Sequence, residues 1–121
     1  MKLIGSKLEQ ELKKQLTKSN KSFFKDEEKR SLLEVVRSSY PEMNTAYIID
    51  WIPEQDEDIY KILINDCIIA EIELDRYNIE SSPIVITKTI SEYLKGLSKQ
   101  CQIKLAVALE LAKQETLKDA E

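Results

Sequence analysis

Acidic side chains crowd the middle of this chain, and they are the residues best able to do chemistry. Residues 41–80 hold eleven Asp and Glu against two Lys and Arg, which is a net charge of −9. Residues 1–40 and 81–121 are mildly basic, at +4 and +1. The overall charge of −4 therefore conceals a directional field that can attract a basic partner.

A cluster of carboxylates has four possible interpretations, and two of them lack the further residues or spacing that they require. A calcium loop requires a glycine and a twelve-residue ligand pattern, and neither follows Asp56-Glu57-Asp58. Glycoside-type hydrolysis requires two carboxylates in a concave pocket, which nothing in their spacing indicates. The other two interpretations are a solvated strand face that blocks edge-to-edge pairing and a docking surface for a basic partner. The carboxylates are Asp50, Glu54, Asp56, Glu57, Asp58, Glu71, Glu73 and Asp75.

Trp51 lies inside the acidic stretch and has two interpretations of its own. Tryptophan often anchors protein interfaces, so it could join the carboxylates in binding a partner. Strand alternation would instead place it in the core with Tyr47 and Ile49, which leaves the contact to its neighbours Asp50 and Glu54. The predicted partner-binding residues are Asp50, Trp51, Glu54, Asp56, Glu57, Asp58, Glu71, Glu73 and Asp75.

The composition argues against most enzyme chemistry. The chain has no histidine, so it contains no Ser-His-Asp or Cys-His arrangement and no imidazole base. Its two glycines are too few for a phosphate-binding loop or a dinucleotide fingerprint. Cys67 and Cys101 cannot form a standard zinc site without histidine, and we expect both to be small buried thiols. We predict a protein without catalytic residues, cofactor or metal.

Length and composition predict one folded domain over residues 1–121, with 42% hydrophobic and 33% charged residues. No apolar run approaches the roughly 20 residues that span a membrane. The first residues, MKLIGSKLEQELKK, lack the continuous apolar centre of a signal peptide. We therefore expect a cytoplasmic protein that does not contact membranes.

Two helices are predicted before the acidic stretch. The first covers residues 6–18, begins with Ser6 in a capping box, and ends before the polar run 19–22. The second covers residues 27–39 and is capped by Asp26. A basic helix such as the first can contact nucleic acid, but glutamates interrupt its charge and no aromatic residues are interleaved. Since the acidic middle would also repel phosphates, no direct nucleic-acid binding is expected.

Three strands follow, over Ala46–Ile52, Ile59–Ile64 and Cys67–Asp75. The acidic loop 54–58 joins the first two strands, and Asn65-Asp66 forms a two-residue hairpin turn between the last two. Along the third strand, apolar and acidic residues alternate. This pattern predicts an antiparallel sheet with helices on one face and an uncovered acidic face.

The C-terminal third is predicted to be helical. Residues 76–83 form a linker, and Ile84–Thr87 could be a strand, although the spacing over Ile84–Leu97 favours a helix after Pro83. The last helix, Lys99–Leu117, is apolar over most of its circumference and is expected to be central. The predicted fold is α+β in the order ααβββαα, a three-stranded meander with helices on one face.

A compact, acidic α+β chain without catalytic residues resembles bacterial immunity proteins, of the kind paired with contact-dependent growth inhibition toxins or colicin-like nucleases. The residues that carry the resemblance are IIDWIPEQDEDIY and EIELD, at 48–60 and 71–75. The resemblance implies binding and neutralisation of a basic toxin domain, often a nuclease, in the cytoplasm. The alternative is a small regulatory or adaptor protein that acts through protein–protein contacts, including a homodimer formed through its helices.

Overall fold

The structure is a computed structural model that describes residues 5–26, 29–75, 77 and 82–119. Within these residues, four helices pack against a four-stranded antiparallel sheet, so the α+β class is confirmed. The elements in chain order are α1 (Lys7–Lys25), α2 (Arg30–Ser39), β1 (Ala46–Pro53), β2 (Glu57–Ile64), β3 (Ile68–Asp75), β4 (Ile84–Thr89), α3 (Ile90–Leu94) and α4 (Lys99–Asp119).

The sheet is a meander in the order β1-β2-β3-β4, with one strand more than predicted. The added strand is Ile84–Thr89, which pairs antiparallel with Ile68–Glu73. The helical spacing was misleading here because the β-branched residues of this segment suit a strand beside β3. The helix begins only at α3, where Thr89 forms a capping box with Glu92.

Helices cover both faces of the sheet, and the prediction of one uncovered face was wrong. On the α4 face, Tyr47, Leu63 and Ile69 are buried against α1 and α4. On the α2 face, Ala46, Ile62, Ile64, Ala70 and Ile72 are buried against α2 and the last turns of α1. Both faces of the sheet therefore carry buried apolar side chains. Each fully buried aliphatic side chain contributes roughly 1.5–3 kcal/mol to the free energy of folding. A sheet of this kind must therefore be covered twice.

Helix α1 connects the two cores by passing along the β1 edge. The Ser6 capping box is confirmed, but the predicted end at residues 19–22 was wrong because α1 continues to Lys25. Two polar side chains that suggested a break instead bond to the strand. The Asn20 amide donates to the Ala46 carbonyl at 2.8 Å, and the Ser19 hydroxyl donates to the Ile48 carbonyl at 3.4 Å. Tertiary hydrogen bonds thus retain these residues within the helix.

The second helix begins later than predicted. Asp26 is the C-cap of α1, where it accepts a hydrogen bond from the Ser22 hydroxyl at 2.6 Å, and α2 starts at Arg30. Residues 27 and 28, the predicted first turn, lie outside the described residues.

The prediction of a central last helix is correct only in part. The middle of α4 is buried around Leu105 and Ala108, whereas Glu110 is exposed.

The turn between β2 and β3 has three residues instead of two, because Ile64 pairs with Ile68. Asn65 adopts a φ of 53°, and its side-chain carbonyl accepts from the backbone N–H of Asn44 at 2.8 Å. Cys67 therefore lies in the turn and outside the strand. Both Cys67 and Cys101 are exposed, so the expectation of buried thiols was wrong. Cys101 belongs to the first turn of α4.

Candidate protein-binding surface

A β-bulge determines which way Trp51 points. The register between β1 and β2 shifts between Ile48, which pairs with Ile62, and Asp50, which pairs with Lys61. The extra residue reverses the alternation that follows it. Trp51 consequently lies opposite Tyr60 on the α2 face and is 53% exposed. The interpretation that placed it in the core with the first strand residues was therefore wrong.

Although exposed, the Trp51 ring is held in place on three sides. It stacks on Tyr60 with centroids 6.3 Å apart and an interplanar angle of 7°. Its indole N–H donates to Asp58 Oδ1 at 3.1 Å, and Lys29 Nζ lies 5.2 Å from the ring centroid. A large aromatic that is already oriented loses little conformational entropy when a partner covers it. This geometry is what an interface anchor requires.

Most of the predicted carboxylates meet at one end of the sheet. The backbone N–H of Glu54 donates to the Glu57 carbonyl at 2.8 Å and closes the β1–β2 loop. Glu57 pairs in register with Asp75, which brings the end of β3 beside this loop. The resulting surface, here called the acidic end, consists of Glu54, Asp56, Glu57, Asp58, Glu73 and Asp75. Glu54, Asp56 and Asp75 are its exposed members.

Two predicted residues, Asp50 and Glu71, lie apart from the acidic end on the α4 face. Glu71 accepts ion pairs from Lys88 Nζ at 2.9 Å and from Lys61 Nζ at 3.8 Å, and its side chain is only 16% exposed. Lys61 also pairs in register with Asp50. The prediction that Glu71 faces solvent on an uncovered acidic face was wrong. Local lysines compensate this charge, so it adds little to the field outside the protein.

The pKa values of Tyr47, Cys67 and Tyr93 are raised. Burial, followed by the hydrogen bond that its hydroxyl donates to Glu115, raises the pKa of Tyr47 and links β1 to α4. The side-chain hydrogen bond to Asp66 raises the pKa of the Cys67 thiol. Burial, followed by the charges of Asp50, Cys101 and Glu71, raises the pKa of Tyr93 to about 12. Each tyrosine is therefore retained in its neutral form at neutral pH.

The Tyr93 shift predicts a loss of stability at alkaline pH. Because the folded-state pKa of about 12 exceeds the value of 10.0 expected when unfolded, the neutral side chain favours folding below pH 10. That contribution disappears as the pH rises from about 10 through about 12. We expect Tyr93→Phe to reduce the fall in unfolding free energy over this range, measured by urea denaturation. Tyr77→Phe, at a residue that is 74% exposed, is the control and should match the wild type.

A separate basic surface lies on α1. A groove of about 560 Å3 follows its exposed side and is lined by Gln10, Lys13, Lys14, Thr17, Lys18 and Lys21. These lysines make no ion pair within the described residues. The acidic end and the basic groove are formed by different elements, so the protein has charge of both signs on its surface.

Two of the three residues that orient Trp51 were not predicted from the sequence. Lys29 reaches the ring from the start of α2, and Tyr60 reaches it from the neighbouring strand across the bulge. Tyr60 could have been found, because a strand residue opposite a tryptophan forms a favourable cross-strand pair. Nothing in the local pattern indicated Lys29, since its position depends on how α2 packs.

Comparison with models of protein families, with curated proteins and with solved structures found no match to this chain. Among the residues that the structure describes, no group of three or more acidic or cysteine side chains is arranged to hold a metal ion. Within the same ranges, no helix combines the length and apolar character needed to cross a lipid bilayer. The acidic end and the oriented Trp51 ring are the surface on which a functional proposal can rest.

Proposed function

We propose that this protein is an immunity protein that binds a basic toxin domain, a nuclease, and neutralises it through the acidic end and Trp51. The observation that supports this function most directly is the exposed Trp51 ring, fixed by Asp58 beside a group of carboxylates. A solvated strand face that served only solubility would have no need of an oriented, half-exposed tryptophan.

The proposed inhibition has two physical steps. A nuclease domain presents Lys and Arg to bind phosphates, and carboxylates reproduce the negative charge of those phosphates. The acidic end accelerates encounter by attraction over roughly one Debye length, about 8 Å at physiological salt. Trp51 then buries its exposed face against the partner and slows dissociation. Occupation of the phosphate-binding surface would exclude the nucleic-acid substrate.

The acidic residues contribute unequally in this proposal. Glu54, Asp56 and Asp75 are exposed and supply the external field. Asp58 contributes mainly by orienting Trp51. Asp50 and Glu71 lie beside lysines on the α4 face, the opposite face of the sheet from Trp51. Their removal is expected to affect stability more than association.

The test begins with a search of the neighbouring genes for one that encodes a basic nuclease domain at the C-terminus of a toxin. We expect co-expression of this protein to restore growth of cells that produce the toxin domain, and the two proteins to co-purify. The combined variant Trp51→Ala, Glu54→Gln, Asp56→Asn is expected to protect poorly while remaining folded. The proposal fails if no toxin domain is encoded nearby, or if the wild-type protein neither binds nor protects.

Charge removal at the β1–β2 loop gives a kinetic prediction. We expect the triple variant Glu54→Gln, Asp56→Asn, Glu57→Gln to associate about tenfold more slowly at low salt, with a weaker dependence on ionic strength. The dissociation rate should change little, because Trp51 and Asp58 are retained. Stopped-flow or surface plasmon resonance measurements over a range of salt concentrations provide the rates.

The control for this variant removes the same charge elsewhere. Glu42, Asp66 and Glu110 lie outside the acidic end, at the opposite end of the sheet and on α4. The variant Glu42→Gln, Asp66→Asn, Glu110→Gln should associate almost as fast as the wild type. Equal slowing by both triple variants would mean that overall charge matters and that the acidic end has no special role.

A second candidate function is a regulatory or adaptor protein that acts as a homodimer. The observation that favours it is the strand β4, which forms an edge of the sheet and carries exposed Ile84 and Ile86. The earlier expectation placed such a dimer on the helices, whereas this feature belongs to the sheet. Dimerisation would use the edge of β4, whereas toxin binding would use Trp51 and the exposed carboxylates Glu54, Asp56 and Asp75, so variants of one set leave the other set unchanged.

A further inference from the structure

The two edges of the sheet differ in how they are protected. At the β1 edge, α1 packs alongside the strand, and Asn20 and Ser19 donate hydrogen bonds to its Ala46 and Ile48 carbonyls. At the β4 edge, no other strand in the described part of the chain pairs with the outer side. β4 contains one charged residue, Lys88, and neither proline nor a bulge. It therefore lacks most of the features that prevent an edge strand from pairing with another chain.

The exposed side chains of β4 are also unusually apolar. Ile84 is 51% exposed and Ile86 is 44% exposed, and both lie on the α4 face of the sheet. Val85 and Thr87 lie on the α2 face, where the Thr87 hydroxyl is bonded to the Tyr40 hydroxyl at 2.6 Å. This bond and the complete register with β3 hold β4 as a regular strand. An ordered, apolar edge is a template for strand addition.

We infer that a second copy of this chain pairs with β4 and extends the sheet to eight strands. Two identical antiparallel strands are related by a two-fold axis perpendicular to the sheet, so each face continues into the same face of the partner. Two residues that lie directly opposite each other must then be on the same face of the sheet. The axis therefore passes between a residue and its own copy, and not between two neighbouring residues of one strand. Placing it at Ile86 sets Ile86 against its own copy and Ile84 against Lys88 of the second copy.

Charge complementarity favours this register. Ile84 is the register neighbour of Glu73 on β3, and Glu73 is half-buried without an ion pair among the described residues. Lys88 of the second copy would lie beside Ile84, where its long side chain can approach this carboxylate. An axis at Thr87 would instead direct Lys88 of the second copy toward Glu71, which already accepts two lysines. In the Ile86 register, Lys88, which pairs with Glu71 of its own chain at 2.9 Å, would move toward Glu73 of the second copy, while Lys61 remains beside Glu71.

The expected dimer is weak and depends on concentration, because one pair of six-residue strands buries less than the roughly 1,200–2,000 Å2 typical of stable complexes. We expect sedimentation velocity to show the 14.0 kDa monomer at low concentration and a species of twice that mass at high concentration. A monomer at all concentrations up to the solubility limit would overturn the inference.

A charged substitution at the two-fold axis tests whether β4 is the surface that forms the dimer. Ile86→Lys would place two lysines opposite each other in the dimer, whereas in the monomer the new lysine lies beside Glu71 and should not impair folding. We expect dimerisation to weaken about tenfold. Leu8→Lys, at an apolar position 37% exposed on α1, is the matched control and should dimerise as the wild type does. Equal behaviour of the two variants would assign the dimer to another surface and overturn the inference.

Cross-linking tests the register independently. In a Cys67→Ser, Cys101→Ser background, Ile86→Cys should form a disulfide-linked homodimer under mild oxidation, because the two residues 86 oppose each other across the axis. Ile84→Cys should cross-link much less, because its counterpart in the second copy lies opposite Lys88, four residues away along the strand. Preferential cross-linking through residue 84, or none through residue 86, would exclude the proposed register. Toxin binding is measured separately, so its failure would not affect this outcome.

Discussion

Replacement of Trp51 by alanine is expected to weaken binding to the basic toxin domain about 30-fold, which corresponds to about 2 kcal/mol. The effect should appear mainly as faster dissociation, since the charge that controls encounter is unchanged. Isothermal titration calorimetry gives the affinity, and surface plasmon resonance separates the two rates. A half-exposed side chain contributes little to the core, so the variant should unfold at nearly the wild-type temperature.

The physical reason for this large effect is preorganisation. Tyr60, Asp58 and Lys29 hold the Trp51 ring before any partner arrives. The free protein has therefore already lost the rotamer entropy that an interface side chain usually loses on binding. Burial of the exposed half of the ring then contributes to affinity with little opposing cost. Binding that is unchanged by Trp51→Ala would exclude this residue as the anchor.

A matched pair of variants separates orientation from charge. Asp58→Ala and Asp56→Ala each remove one carboxylate from the acidic end, but only Asp58 accepts the indole N–H. We expect both variants to associate slightly more slowly and only Asp58→Ala to dissociate faster. If the two variants dissociate equally fast, the hydrogen bond to Trp51 does not contribute to binding. Leu8→Ala, an exposed apolar residue on α1, controls for loss of apolar surface.

The largest expected effect on stability follows Phe23→Ala. Phe23 is completely buried in the core of the α2 face, although it belongs to α1, whose Leu12 and Leu16 pack on the α4 face. Removing the ring leaves a cavity where one helix joins the two cores. Truncation of a buried phenylalanine costs about 3–5 kcal/mol. Chemical denaturation with both circular dichroism and tryptophan fluorescence measures the loss.

Phe24 provides the control for this prediction. The two rings are in edge-to-face contact, 5.1 Å apart, but Phe24 is only partly buried. Phe24→Ala loses the same aromatic pair without an enclosed cavity, so we expect a clearly smaller loss of stability. Comparable losses for the two variants would mean that the aromatic pair, and not the link between the cores, accounts for the effect.

Local patterns were sufficient for much of the fold. The Ser6 capping box and the alternation of β2 and β3 depend on neighbours within a few residues, and the structure confirms them. A turn is also present at Asn65, as predicted, and Asn65 adopts a positive φ there. Ile84–Thr87 is a strand because β3 lies beside it, and helical spacing in an isolated segment cannot report that neighbour. Asn20 likewise remains helical because β1 offers it a carbonyl.

For the candidate surface, the sequence by itself determined its composition. The clustering of acidic residues between positions 41 and 80 is a property of the sequence. Strand pairing could only bring those residues together or move them apart. The tertiary structure decided the rest. The bulge after Ile48 turned Trp51 outward, and Lys61 and Lys88 neutralised Glu71. Register and packing are long-range properties, so the same carboxylates become an acidic end in one place and an ion-pair cluster in another.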